Sequence, residues 1–234
     1  GGLMGGFGIT QDITARKQAE EALRESEAIY RQAIEVAGAV PYRQSYPGND
    51  FHIVYDFIGD GVRHITGYGP DEFNEDLWDS LVQESHPAGE LAQYPWREAV
   101  HRVRTGVSPI WQCEHRIQSR NGESRWVYEA AVELRDKDGQ SHGSVGLFQD
   151  ITERKQAEDA LRSSEERFSK AFQESPSIIA ISKLNDGILL EVNDAFEKII
   201  GYAREEVIGK PIAELGIWAS WADRERLLPT LLTN

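Results

Sequence analysis

The sequence predicts an α+β fold: a five-stranded antiparallel sheet with helices on one face, in units joined by long coiled-coil-type helices. Three observations lead there. A block rich in strong helix formers, Gln11–Glu27, returns as Gln149–Glu165 with three differences (Ala15/Glu153, Glu21/Asp159, Glu25/Ser163). Between the copies lie short runs of alternating apolar and polar residues, separated by Pro-Gly, Asn-Gly and Asp-Gly turns, the pattern of antiparallel strands. The chain has 234 residues and is 40% hydrophobic, which suits one large or two small domains with ordinary cores.

The helical block recurs after 138 residues, and a second echo follows each copy. Ile65-Thr66-Gly67-Tyr68 with Asp71-Glu72 parallels Ile199-Ile200-Gly201-Tyr202 with Glu205-Glu206. A period this long marks an array of domains, since solenoid repeats are ~20–50 residues. The expected organisation is a last strand of a preceding unit at 1–10, a linker helix at 11–35 and a complete unit at 36–152. A second linker helix at 150–173 overlaps the first part of a following, truncated unit at 165–234.

Each helix has a thin apolar seam. Ala157, Leu161, Ser164, Phe168 and Ala171 step by four and three, as do Ala19, Leu23, Ser26, Tyr30 and Ala33. The seam predicts a homodimer through the helical linkers. Asp150 and Thr152 are candidate N-caps of the second helix, with Asp150 and Glu153 spaced for a capping box.

Within the middle unit, Val40–Gln44 and Phe51–Ile58 bracket a turn as a hairpin. Short helical pieces over Gly61–Trp78 follow, then a helix over Pro95–Arg104. Strands at Ile110–Gln118, Ser124–Leu134 and Ser144–Phe148 complete the sheet, the first two joined through Asn121-Gly122. Alternation places Trp111, Cys113, His115 and Ile117 on one face. It gathers Trp126, Tyr128, Ala130, Val132 and Leu134 into an apolar face of the next strand, opposite Glu129 and Glu133. Trp111, His115, Trp126 and Tyr128 are therefore the candidate lining of a small-molecule pocket, the alternative being an ordinary core beneath the sheet.

Composition removes several classes. Cys113 is the one cysteine, which excludes a disulfide scaffold and thiolate metal clusters. No apolar run approaches the ~20 residues of a membrane span. Gly1–Gly8 lacks the basic start and long apolar stretch of a secretory signal. A net charge of −14 with no segregated basic patch disfavours nucleic acid. The expectation is a cytoplasmic segment without membrane contact, whose parent could be membrane-anchored. No catalytic constellation or metal cluster is visible.

The residues resemble the PAS family of sensory domains. His115–Leu161 is similar to its PAC portion, including the closing Asp150-Ile151-Thr152 before the helix. Gly67-Tyr68 with Asp71-Glu72, Gly201-Tyr202 with Glu205-Glu206, and Asn193-Asp194-Ala195-Phe196 resemble its N-terminal half. The middle unit departs at Gly59, where the family has Asn. The resemblance implies a sensory and dimerising segment of a multidomain signalling protein. Such arrays sit upstream of a histidine kinase in a phosphorelay, or of a diguanylate cyclase or phosphodiesterase, or act as ligand-free scaffolds. Asp150, Ile151 and Thr152 would then couple sheet to helix. Neither flavin nor haem is supported: Cys113 lies on a strand rather than in the helical cysteine motif of flavin photoreceptors. His101, placed where haem-binding relatives carry an axial ligand, sits on a polar helix with Arg97, Arg102 and Arg104.

Overall fold

The computed structural model describes residues 14–48 and 52–216. The strand expected at 1–10 and residues 217–234 of the following unit lie outside the described residues. The chain divides between Lys155 and Gln156 into two compact units.

The first unit opens with α1 (Thr14–Val36), close to the helix read from the repeat. β1 (Ala39–Ser45) and β2 (Val54–Ile58) form the expected hairpin, with a bulge at Arg43/Gln44. Three short helical pieces cross next: α2 (Val62–Thr66), a 3-10 turn at Pro70–Glu72 and α3 (Glu75–Leu81). β3 (Val82–Pro87) leads to α4 (Trp96–Arg104). β4 (Trp111–Gln118), β5 (Ser124–Arg135) and β6 (Ser141–Asp150) are the three long strands. The sheet is antiparallel in the order β2-β1-β6-β5-β4-β3.

It therefore has six strands where the sequence predicted five. The addition, β3, reads Val-Gln-Glu-Ser-His-Pro, too polar for alternation to reveal. It is an edge strand ending in proline, as edge strands tolerate.

The register corrects the face assigned to β5. Residues directly opposite in a ladder share a face, and a one-residue slip reverses the whole strand. Trp111, Cys113 and His115 stand opposite Ala131, Glu129 and Val127. The buried face of β5 is thus Val127, Glu129 and Ala131, while Trp126 and Tyr128 stand opposite Arg116 and Glu114 on the other side. The core joins Tyr42, Phe73, Trp78 and Phe148 to aliphatics from β1, α2, β4 and β5. Burial of such a cluster stabilises by about 1.5–3 kcal/mol per large side chain.

α5 (Thr152–Gln173) follows β6 directly. The second unit then has β7 (Ala180–Ser182), β8 (Leu189–Val192), α6 (Asp194–Ile200) and α7 (Arg204–Val207) around Leu189, Val192, Phe196 and Val207. The repeated motif has one structural job in both units. Gly67 ends α2 and Gly201 ends α6 in the left-handed region, at φ +82° and +88°. A carboxylate then caps the next turn: Glu72 Oε2 accepts from the Gly69 N–H at 2.9 Å, and Glu206 Oε2 from the Ala203 N–H at 2.8 Å.

The starts differ. Asn193 is fully buried, and its Oδ1 accepts from the N–H groups of Ile179 and Phe196 while its Nδ2 donates to Ser177 C=O. At the corresponding Gly59, the N–H donates to Pro41 C=O at 2.8 Å, and a Cβ would lie 3.0 Å from Pro41 Cδ. A side chain at this position would need the β1 proline ring to shift slightly.

Candidate functional site

A cavity of about 260 Å³ lies inside the first unit, walled by the inner face of the sheet, α3 and α4. Its aromatic wall is Tyr46, Tyr55, Trp78, Trp96 and Trp111. Trp96 meets Trp111 edge-on at 5.0 Å between ring centres, and Trp78 meets His115 edge-on at 5.3 Å.

Glu129 organises the polar part. Tyr42 Oη donates to its Oε1 at 2.6 Å, Trp111 Nε1 to its Oε2 at 2.7 Å, and His115 Nε2 lies 3.1 Å from Oε2. A carboxylate only accepts, so His115 Nε2 carries a hydrogen; its Nδ1 lies 2.8 Å from Ser85 Oγ on β3. Desolvation alone would raise the Glu129 pKa. The hydrogen bond and charge of His115, then the hydrogen bonds of Tyr42 and Trp111, outweigh it and hold the carboxyl below its ordinary range. Burial, followed by the Glu129 charge, pushes the Tyr42 hydroxyl well up.

Trp111 and His115 line this cavity as the sequence placed them; Trp126 and Tyr128 do not. Trp126 lies on the opposite face, between the His86 ring at 6.1 Å and Lys155 Nζ at 5.2 Å. The Tyr128 hydroxyl accepts from Gln112 Nε2. Sequence reading missed Glu129, Ser85, Gln44, Trp78 and Trp96. Glu129 escaped because its inward direction follows from the β4–β5 register, which sets it opposite Cys113.

Neither Cys113 nor His101 lines the cavity. Cys113 is buried on β4 outside the cavity lining, and burial, then the Glu129 charge, pushes its thiol pKa upward, away from a nucleophilic thiolate. His101 is exposed on α4 and is not among the lining residues. Among the described residues no group of three His, Cys, Asp or Glu is placed to hold a metal.

A second set of contacts fixes the junction of β6 with α5. Asp150 Oδ1 accepts from the N–H and the hydroxyl of Thr152, and Asp150 Oδ2 lies 3.2 Å from Arg125 Nη1. Asp150 thus engages Thr152 and Arg125. The Trp126 N–H donates to Thr152 Oγ1 at 3.0 Å, and the Ile151 N–H donates to Trp126 C=O at 2.9 Å. Ile151 is buried, and its own carbonyl accepts the helical bond from Lys155. One turn into α5, Arg154 and Lys155 pair with Glu114 of β4. Desolvation raises the Glu114 pKa, and these two cations bring it below the ordinary value.

Two stretches of the chain match one family. Residues 55–148 match the PAS fold and residues 176–234 match the PAS domain. The chain belongs to the PAS family. Among curated proteins it is 27% identical to the two-component sensor PprA of Pseudomonas aeruginosa, over 99% of this chain and 24% of that protein. It is 28% identical to the sensor protein FixL of Bradyrhizobium diazoefficiens, over 65% of this chain and 29% of that protein. The chain spans about a quarter of the length of these relatives. A solved sensory box histidine kinase/response regulator from Burkholderia thailandensis aligns with 60% of this chain and 98% of its own at a TM-score of 0.45 and 21% identity. Among the described residues no helix is long and apolar enough to cross a membrane.

Proposed function

We propose that the middle PAS domain senses a small molecule in its cavity and relays occupancy through the Asp150–Thr152 joint into α5. One observation carries this reading: β5 belongs to both places. Its inner face puts Glu129 into the cavity network, and its start holds the joint through Arg125 and the backbone of Trp126. A ligand that shifts the ring of Trp111 or His115 acts on Glu129 of β5, the strand whose start is hydrogen-bonded to the β6–α5 junction.

Leu23, Tyr30, Leu161 and Phe168 are each more than half exposed, which supports pairing of both helical seams with a second copy. The named relatives, a two-component sensor and a sensor protein, support a histidine kinase as the output; a cytoplasmic setting for this segment is part of the same proposal. A seam made largely of Ala and Ser suits a switch, because its packings differ by only a few kcal/mol.

Native mass spectrometry of the chain purified from its own host tests the reading. A bound small molecule is the expected result; repeatedly empty, tight dimers would replace sensing with scaffolding. In the parent protein, Asp150→Ala is expected to change output regulation, and unchanged regulation would remove the joint from the relay.

A further inference from the structure

The polar groups of the cavity fall into two sets. Glu129, His115, Ser85 and Trp111 engage one another, and Glu133 accepts from Tyr46 and Ser141. The second set is unmatched. Gln44 is 7% exposed; its Nε2 donates to Ser144 at 2.8 Å, and its Oε1 has no hydrogen-bond partner. A buried acceptor left unpaired costs about 1–3 kcal/mol, so this oxygen calls for a donor. The Tyr55 hydroxyl, in the same lining, carries no hydrogen bond among the described residues.

At the exposed end, α3 turns Glu75, Trp78 and Asp79 toward the cavity, the spacing of one helix face. Glu75 is paired with His52 and accepts from the Ile53 N–H. Asp79 has neither a hydrogen-bond nor an ion-pair partner among the described residues. Desolvation and then the neighbouring charges of Glu75 and Asp76 push its pKa up. Against the carboxylates the lining sets the Arg104 guanidinium, which lies 4.2 Å from the centre of the Tyr46 ring, and the engaged His115 ring.

Resting on the reading of the cavity as a sensing site, we propose that its ligand is an amphipathic amine. The ammonium group sits at Asp79 and Glu75 by the mouth, the apolar body lies among Trp78, Trp96 and Trp111, and an N–H at the far end donates to Gln44 Oε1. Aromatic faces beside carboxylates attract organic cations on both counts. At about 260 Å³ the cavity falls just below the ~300–1,000 Å³ of typical ligand pockets, so the ligand is small. Like charge at the mouth rejects anions.

Titration calorimetry on the whole chain with three matched probes tests the class: tryptamine, neutral indole-3-ethanol and anionic indole-3-acetate. The expected order of affinity is tryptamine first by about tenfold, indole-3-acetate last. Asp79→Asn, on an exposed side chain, is expected to erase the advantage of tryptamine over indole-3-ethanol. N1-methyltryptamine is expected to bind about tenfold more weakly than tryptamine to the unaltered chain and equally to Gln44→Met. Equal or tighter binding of indole-3-acetate, or a preference that survives Asp79→Asn, would overturn the amine assignment and leave small-molecule sensing standing. If none binds while host-purified protein carries a molecule, the amine class falls alone. If none binds and that protein is empty, both readings fall.

Discussion

The two faces of β5 solve opposite problems. On the inner face, Val127 and Ala131 flank a buried carboxylate, and Glu129 is tolerated because three donors on β1 and β4 converge on it. On the outer face, Trp126 and Tyr128 are only half-buried, and the contacts around them are ion pairs and ring contacts open to water. The inner network is stiff, since breaking one member strands the others. The outer one is a set of separate pairs, so that breaking one leaves the others in place. The proposed relay needs both: a cavity wall of fixed geometry, and a junction that moves at low energetic cost.

The largest effect expected from this contrast is on the inside. Glu129→Ala leaves Tyr42, Trp111 and His115 without their shared acceptor and is expected to destabilise the first unit by about 3–5 kcal/mol in urea unfolding. A loss under 1 kcal/mol would show that the donors are satisfied elsewhere. The same group sets an acid limit. Its folded pKa lies below its unfolded value, so its stabilisation is present above the unfolded value, about pH 4.3, and is lost as pH falls through the lower folded value. Unfolding followed from pH 6 to pH 2 should show that loss, and Glu129→Gln should flatten it.

Outside, effects shrink. Asp150→Ala removes an acceptor for Thr152 and a partner of Arg125. It is expected to cost about 1 kcal/mol, seen mainly as fraying of the first turn of α5 by circular dichroism and hydrogen exchange. Glu114→Gln, which releases Arg154 and Lys155, is expected to cost under about 1 kcal/mol and to lose its effect in 0.5 M salt. A large, salt-independent effect there would mean the outer ties are as rigid as the inner ones.

Much of this was legible in the amino-acid order. The repeat gave both long helices, the Asn121-Gly122 turn gave the β4–β5 hairpin, and alternation oriented β4 correctly, so Trp111 and His115 were found. β5 was turned over because a strand carrying Trp, Tyr, Val and Leu on one side and Glu, Glu on the other reads as core-side and solvent-side. What reversed it is non-local: the donors that satisfy Glu129 lie 87, 18 and 14 residues away. β3 escaped for a related reason, being a polar edge strand defined by its ladder with β4 and not by its own pattern. At the Asp150–Thr152 junction only the cap of Thr152 by Asp150 was readable, being a contact between near neighbours. The junction's anchors Arg125 and the Trp126 backbone become visible only once β5 is set beside β6.

If β5 carries the state of the cavity to the start of α5, the first turn of the helix responds to a change at Glu129. Hydrogen exchange at the Ile151 and Lys155 amides, in Glu129→Gln against the unaltered chain, addresses it most directly. Ile151 bonds to Trp126 of β5, and Lys155 closes the first turn of the helix. Exchange at both amides is expected to accelerate by more than it does in the β1–β6 ladder. An equal rise throughout the unit, or no rise at these two amides, would contradict a relay through β5.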